Sequence, residues 1–412
     1  MFIITVLASV FRNKNVFLSI LDIKELDMKK IYFVLLILLF FKGFSQNDEV
    51  VVILLDEFSS LPVEDATITI SRTSQGLLSN KDGLFKINIK KPSVIEITHT
   101  SYKKMTIKSS SLKEKENILY LISNTNDLEE IIVTKENPQD ILREVIYNSL
   151  SKITIPANLK VYTREFFKKD NVYSYYNDGL LNFQITGDSK NVKTDILVEQ
   201  NRAIGLLDAF DKSILGYNLN NLMENYYQFK YLKELLHTRA KKLYSFRLKS
   251  YAQNKDYNYI IVKPLSNVRG ELSEYYILYD TKKDLIIEVG SLLPEDRVSK
   301  DKDILDFKKR SIFKSEFRTT YRFKNNQYYL ANSKEKIGFE SNNNKKKVRF
   351  EIKSYFVITE FRSKNFKYKD NEVFKDKSLI NAKNSVITEF WELDSGIILT
   401  KAENDIIDSL VK

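Results

Sequence analysis

Apolar and polar positions alternate in short stretches along most of this chain, the pattern of half-buried strands. Val50 to Leu55 is a continuous apolar run, Thr67 to Ile70 alternates with period two, and Leu84 to Ile89 does so more loosely. Val94 to Thr98, Lys104 to Ile107, Ile118 to Ile122 and Glu130 to Val133 bring the count to about seven strands. Ser59-Ser60 with Pro62, Asn80-Lys81-Asp82-Gly83 and Lys91-Pro92 separate them as turn signals. That spacing predicts a small β-sandwich.

The pattern changes period at Asn137. Ile141, Leu142, Val145, Ile146 and Leu150 recur at helical spacing behind a capping Asn137 and a Pro138 suited to the first helical position. A second stripe, Leu222, Tyr226, Phe229, Leu232, Leu236 and Ala240, predicts a helix over 219–243. Between and beyond the helices the strand pattern returns as hairpins. Val172 to Phe183 carries a turn signal at Asn177-Asp178-Gly179. Phe246 to Val262, Glu274 to Val289 and Phe317 to Ala331 each hold two strands around a polar turn, and Val348 to Tyr355 and Val357 to Phe361 follow. The expected architecture is therefore mainly β with an α+β second domain: a small sandwich, then a curved antiparallel sheet covered by helices.

The front segment resembles the carboxypeptidase-regulatory-like domain, a transthyretin-like sandwich common in envelope proteins of the Bacteroidetes. The resemblance rests on Asp56, Leu61-Pro62-Val63, Ala66, Gly76, Asp82-Gly83-Leu84-Phe85, Ser101-Tyr102 and the closing Leu128-Glu129-Glu130-Ile131-Ile132-Val133. It departs from that pattern in the missing glycine of the first strand, in Ser79-Asn80 before the turn and in Ser101 before the late tyrosine. It implies Phe85 and Ala66 facing inward from opposed strands, and it imports no peptidase, because that domain is non-catalytic. The later Tyr162-Thr163-Arg164-Glu165-Phe166 and Glu389-Phe390-Trp391 segments resemble uncharacterised envelope proteins of the same group, and the helix-lined sheet looks like the half-barrel of periplasmic lipoprotein carriers.

An export signal fits this picture. Lys29 and Lys30 precede the unbroken apolar run Ile31 to Phe41, and Gly43 and Ser45 stand at the −3 and −1 positions of a cut before Gln46. The run spans about 16 Å as a helix, short of the roughly 30 Å hydrocarbon core. The expected layout is a gene-model extension over 1–27, a signal peptide over 28–45, the sandwich over 46–134, a helical linker over 135–157 and an antiparallel β-rich domain over 158–412. Export places the chain in the periplasm or at the outer membrane.

Composition narrows the chemistry. The formal charge is +11, and the cut removes six basic and three acidic residues, leaving +8. The cations are scattered, and the one tight run, Lys345-Lys346-Lys347, follows three asparagines and reads as a solvated turn. A nucleic-acid partner is not expected; a peripheral contact with an anionic membrane surface is compatible. There is no cysteine, hence no disulfide, thiolate metal site or cysteine nucleophile. The only two histidines, His99 and His237, stand in no H-E-x-x-H arrangement and read as a strand-edge and a helix-surface residue. No G-x-S-x-G elbow, P-loop or dinucleotide fingerprint occurs. Glu389 and Glu392 around Trp391 are the acid pair best placed for glycosidase chemistry, although a Trp anchoring the last strand explains them more simply. Roughly 280 residues after the sandwich, without enough alternating segments, exclude a transporter barrel of about twenty-two strands. No catalytic, cofactor-binding or metal-binding residue is assigned, and no cofactor is expected. The sequence thus predicts an exported envelope protein acting as a non-enzymatic binding or structural module for an unidentified envelope partner or apolar ligand. The alternatives are a periplasmic carrier of an apolar ligand on a half-barrel and a carboxylate-based hydrolase.

Overall fold

The computed structural model describes residues 49–71, 76–88, 91–113, 116–123, 131–215, 218–252, 254–298, 311–343, 346–364, 366–376, 378–386 and 396–411. The extension, the signal segment and the Glu389–Glu392 pair lie outside the described residues.

Seven strands build the front: β1 (Glu49–Asp56), β2 (Thr67–Ile70), β3 (Gly76–Leu78), β4 (Leu84–Asn88), β5 (Val94–His99), β6 (Tyr102–Lys108) and β7 (Glu116–Leu121). They form two sheets, β4-β1-β7 and β3-β2-β5-β6, with β1 and β7 parallel. Alternation explains the packing. Val50, Val52 and Leu54 point inward from β1 against Ala66, Ile68, Phe85, Ile87, Ile95 and Ile97. The turn before β4 needs Gly83, at φ +70°, because a Cβ there would stand 2.3 Å from the Leu54 carbonyl oxygen. Asn80 braces that turn by accepting from the backbone N–H groups of Asp82 and Leu84, and buried Ser79 links Ala66 N–H to the Val63 carbonyl.

Ten strands form the second, curved sheet. They are β8 (Ala157–Lys169), β9 (Val172–Gly187), β10 (Val192–Gly205), β11 (Tyr244–Ser250), β12 (Tyr257–Pro264), β13 (Glu274–Asp280), β14 (Leu285–Leu292), β15 (Ser311–Lys324), β16 (Gln327–Asn343) and β17 (Lys346–Arg362). Their order is β10-β9-β8-β17-β16-β15-β14-β13-β12-β11, with every pairing antiparallel. Strands β8 to β10 run outward to one edge. The chain then crosses to the opposite edge and meanders back until β17 meets β8. The crossing segment has to traverse a sheet face, and its helices cover that face.

Those helices are α1 (Pro138–Lys152), ahead of the sheet, and in the crossing α2 (Ala209–Ile214), α3 (Leu219–Tyr227) and α4 (Lys233–Leu236). Asn137 caps α1 by accepting from Gln139 N–H, with Pro138 at the first position. Met223, Tyr227, Phe229, Leu232 and Leu235 pack on Val161, Phe183, Ile277 and Val289. Each such side chain contributes about 1.5–3 kcal/mol on burial. The opposite, outer face of the sheet receives the front sandwich and the last helix, α5 (Lys401–Val411).

Four expectations change. The helix over 219–243 is broken: Phe229 takes a left-handed φ of 46°, buried as an anchor, and single turns of 3-10 helix flank α4. The apolar stripe is present, but it is presented by a chain of short pieces. The hairpin expected at Asn177-Asp178-Gly179 is the middle of the 16-residue strand β9. There the polar pair is buried, and the glycine leaves room for Leu379, which would stand 2.8 Å from a Cβ. Val348 to Tyr355 and Val357 to Phe361 are one strand, β17, because Phe356 continues the alternation onto the inner face. Of the strand expected over Glu130 to Val133, Glu130 lies outside the described residues. Ile131 bridges Lys249 and Ile132 N–H bonds the Leu248 carbonyl, so this stretch borders the large sheet.

Candidate functional site

The outer face of β15 carries Arg318, Thr320, Arg322 and Lys324, while Phe317, Tyr321 and Phe323 point to the helical side. The sandwich sheet β3-β2-β5-β6 lies over these outward residues. Polar contacts dock it. Arg318 reaches Asp65 at 3.3 Å and Glu288 at 2.8 Å. Lys334 reaches Glu64 at 2.7 Å, Arg322 donates to Thr69 Oγ1 at 3.0 Å, and the Ser101 and Tyr251 hydroxyls meet at 3.2 Å.

The docking leaves a cleft of about 400 Å3. Asp65, Thr67, Glu96, Thr98, His99, Tyr102 and Lys104 line it from the sandwich; Tyr257, Asp280, Lys283, Glu288, Arg318, Thr320, Arg322 and Lys324 line it from the large sheet. A smaller space of about 90 Å3 continues from it past Arg322 and Lys324 toward Gln327, Tyr329 and Glu360. Another of about 190 Å3 lies beyond Arg318, between Lys81, Lys334 and Lys353. The walls are rich in hydrogen-bonding groups, and both units contribute to them.

His99, expected at a strand edge, lines this cleft at the end of β5. Its Nδ1 accepts from Ser101 N–H at 3.0 Å, and it bonds the Glu64 backbone. Burial, and then Arg318, hold its pKa below the ordinary histidine value, so the ring is neutral at pH 7. A ring held by backbone on both sides is a structural wall residue. His237 stands exposed at the end of α4, far along the chain from His99, and the two do not share the cleft. Among the described residues, no group of three or more His, Asp or Glu side chains could hold a metal ion.

The Tyr162–Phe166 segment of β8 divides by face. Tyr162 and Arg164 point outward into a buried network. Arg164 donates to the Tyr162 hydroxyl, the Ile397 carbonyl and Glu403 at 2.9, 2.6 and 3.3 Å. Asp178 Oδ2 accepts from Tyr162, Tyr176 and Arg202 at 2.9, 2.6 and 2.8 Å. Burial pushes the Glu403 carboxyl up, but Arg164 and Lys353 hold it below its ordinary range. The network is occupied by its own partners and clamps α5 to the sheet.

Glu165 points the other way. Across the strands it stands beside Ser354, which stands beside Glu335. Burial, reinforced by Glu335, raises its pKa to about 8. The space between this row and Leu219, Leu222 and Tyr226 of α3 is about 10 Å3, too small for a sugar and water. Sequence reading identified the Tyr-Thr-Arg-Glu segment but missed the cleft. Its walls join residues 253 positions apart, as in the Arg318–Asp65 pair, and no local pattern carries that pairing.

No known protein-family model matches the chain, and no curated protein does. Solved structures align only loosely. Lipovitellin, solved for its lipid–protein interactions, aligns over 52% of this chain at 9% identity and a TM-score of 0.25. This chain spans 26% of its length. A LolA superfamily protein of Nitrosomonas europaea aligns over 56% of this chain and 98% of its own, at 8% identity and a TM-score of 0.21. A putative membrane-associated protein of Bacteroides fragilis aligns over 76% and 97%, at 8% identity and a TM-score of 0.15.

Proposed function

We propose that this chain is an exported protein of a cell envelope that works by binding, and that its ligand sits in the cleft between the front sandwich and the outer face of the ten-stranded sheet. One observation carries the reading: a cleft of about 400 Å3 lined from both sides by convergent polar groups. The segment 28–45 supports export by its tripartite pattern. The absence of nucleophile and phosphate-loop motifs from the sequence, and the engagement of both ring nitrogens of His99 by backbone, support binding over catalysis. The test is native mass spectrometry of the chain isolated from the envelope without refolding, beside a Thr320→Trp variant whose indole fills the cleft. A bound small molecule on the wild type that is lost from the variant is expected. The same mass on both, or none on either, contradicts the reading.

The carrier reading has its own support. The helical face carries a large apolar cluster, interrupted by the Glu165–Ser354–Glu335 row, and its cover between 219 and 242 is a set of short helical pieces rather than one rigid helix. In this reading an apolar ligand replaces those pieces. Saturable uptake of 1-N-phenylnaphthylamine, unaffected by Thr320→Trp, is the result it requires; no uptake contradicts it.

A further inference from the structure

We propose that Arg322 and Lys324 form an oxyanion subsite in the cleft, selecting a ligand that carries a phosphoryl group. The inference rests on the cleft being the binding site. Its basis is a pairing of charges. Five cations line the cleft: Lys104, Lys283, Arg318, Arg322 and Lys324. Three have carboxylates of their own. Lys104 binds Glu96 at 2.7 Å, Lys283 binds Asp280 at 2.6 Å, and Arg318 binds Glu288 and Asp65. Among the described residues, those four are all the carboxylates of the cleft wall. The carboxylate that lines the adjoining smaller space among the described residues, Glu360, is held by Arg362 at 2.6 Å. Among the described residues, Arg322 and Lys324 are left without a carboxylate ion pair, two residues apart on one strand and so on one face, each lining both spaces.

Arg322 is also oriented. Its Nη1 donates to Thr69 Oγ1 at 3.0 Å, a neutral partner that fixes the planar guanidinium without forming an ion pair. Glu96 lies near enough for both cations to act on it. Burial pushes its carboxyl up, and Lys104, then Lys324 and Arg322, bring it below its ordinary value. Glu96 is nevertheless bonded to Lys104, so an incoming anion meets the two other cations without displacing it. Tyr329, stacked on Phe361 at 3.9 Å, and Gln327 close the far side and keep that end narrow. A guanidinium fork beside a lysine point charge suits the tetrahedral oxygens of a phosphoryl group.

The experiment is titration calorimetry of the full chain with inorganic phosphate, glycerol 1-phosphate and phosphatidylglycerol vesicles, against glycerol and phosphatidylcholine vesicles. Binding of a phosphoryl probe, weakened about tenfold in Arg322→Gln and in Lys324→Gln and weakened by added salt, is expected. A soluble probe binding points to a free phosphoryl ligand, and vesicles alone binding point to a lipid headgroup. Lys263→Gln, which removes a cation paired with Glu274 outside the cleft wall, should leave binding unchanged. Arg322→Lys keeps the charge and tests the fork should Arg322→Gln fail to fold. No phosphoryl probe binding to wild type, or equal binding by folded variants, overturns the subsite. If a cleft-bound mass persists in the native measurement while phosphoryl probes fail, the subsite falls and the cleft reading stands.

Discussion

Asp178 and Glu165 lie in register-neighbouring positions of two paired strands yet face opposite surroundings. Asp178 is fully buried with Arg202, Tyr162 and Tyr176 around it. Removing it as Asp178→Ala takes the charge partner from half-buried Arg202 and the acceptor from two buried tyrosine hydroxyls, and a loss of about 2–4 kcal/mol in urea unfolding is expected. A loss within the range of ordinary surface substitutions would show that the network is loosely held. Glu165 titrates in the reverse sense from a salt-bridged acid. Its folded pKa of about 8 lies above its unfolded value, so the folded state binds the extra proton. Its contribution is fully present below the unfolded pKa, and stability falls as pH rises toward 8. Glu165→Gln is expected to flatten that fall and to be more stable than wild type at pH 8 by roughly 1–3 kcal/mol. Parallel pH–stability curves for the two proteins would contradict this environment for Glu165.

Element boundaries were legible where the turn chemistry was local. The hairpins β11–β12, β13–β14 and β15–β16 follow their polar turns, and α1 begins at its capping Asn137. Two signals misled for definable reasons. Asn177-Asp178-Gly179 has the composition of a turn, but the Asn177 amide nitrogen and the Asp178 carboxylate bond residues on neighbouring strands, which one segment's sequence does not reveal. The stripe over 219–243 has helical spacing, yet Phe229 is worth more as a buried anchor in left-handed conformation than as a helical residue. Helix α3 offers a test of how tightly the cover packs. Tyr227 is fully buried, and its hydroxyl has no hydrogen-bond partner among the described residues. Tyr227→Phe is expected to raise stability by about 1 kcal/mol, read by chemical unfolding. A loss would mean that the hydroxyl is satisfied when the cover is closed.

At the scale of the molecule, the outer face of the ten-stranded sheet joins the front to the rest through ion pairs, hydroxyls and an apolar patch in which Leu78 meets Tyr355 and Val357. We propose that residues 46–134 fold alone. Expression of that fragment should give one cooperative unfolding transition, and its absence would place the boundary elsewhere. The small front sheets and the large curved sheet were readable from the change of pattern at Asn137; the cleft was not, because it exists only once β2 and β5 lie over β15. The most direct measurement of the central claim is an experimental density map of the chain isolated from the envelope without refolding. Density for a bound molecule between Thr98 and Thr320, with its anionic end at Arg322 and Lys324, is expected. An empty cleft, with ligand density instead on the helical face beneath α3, would contradict it.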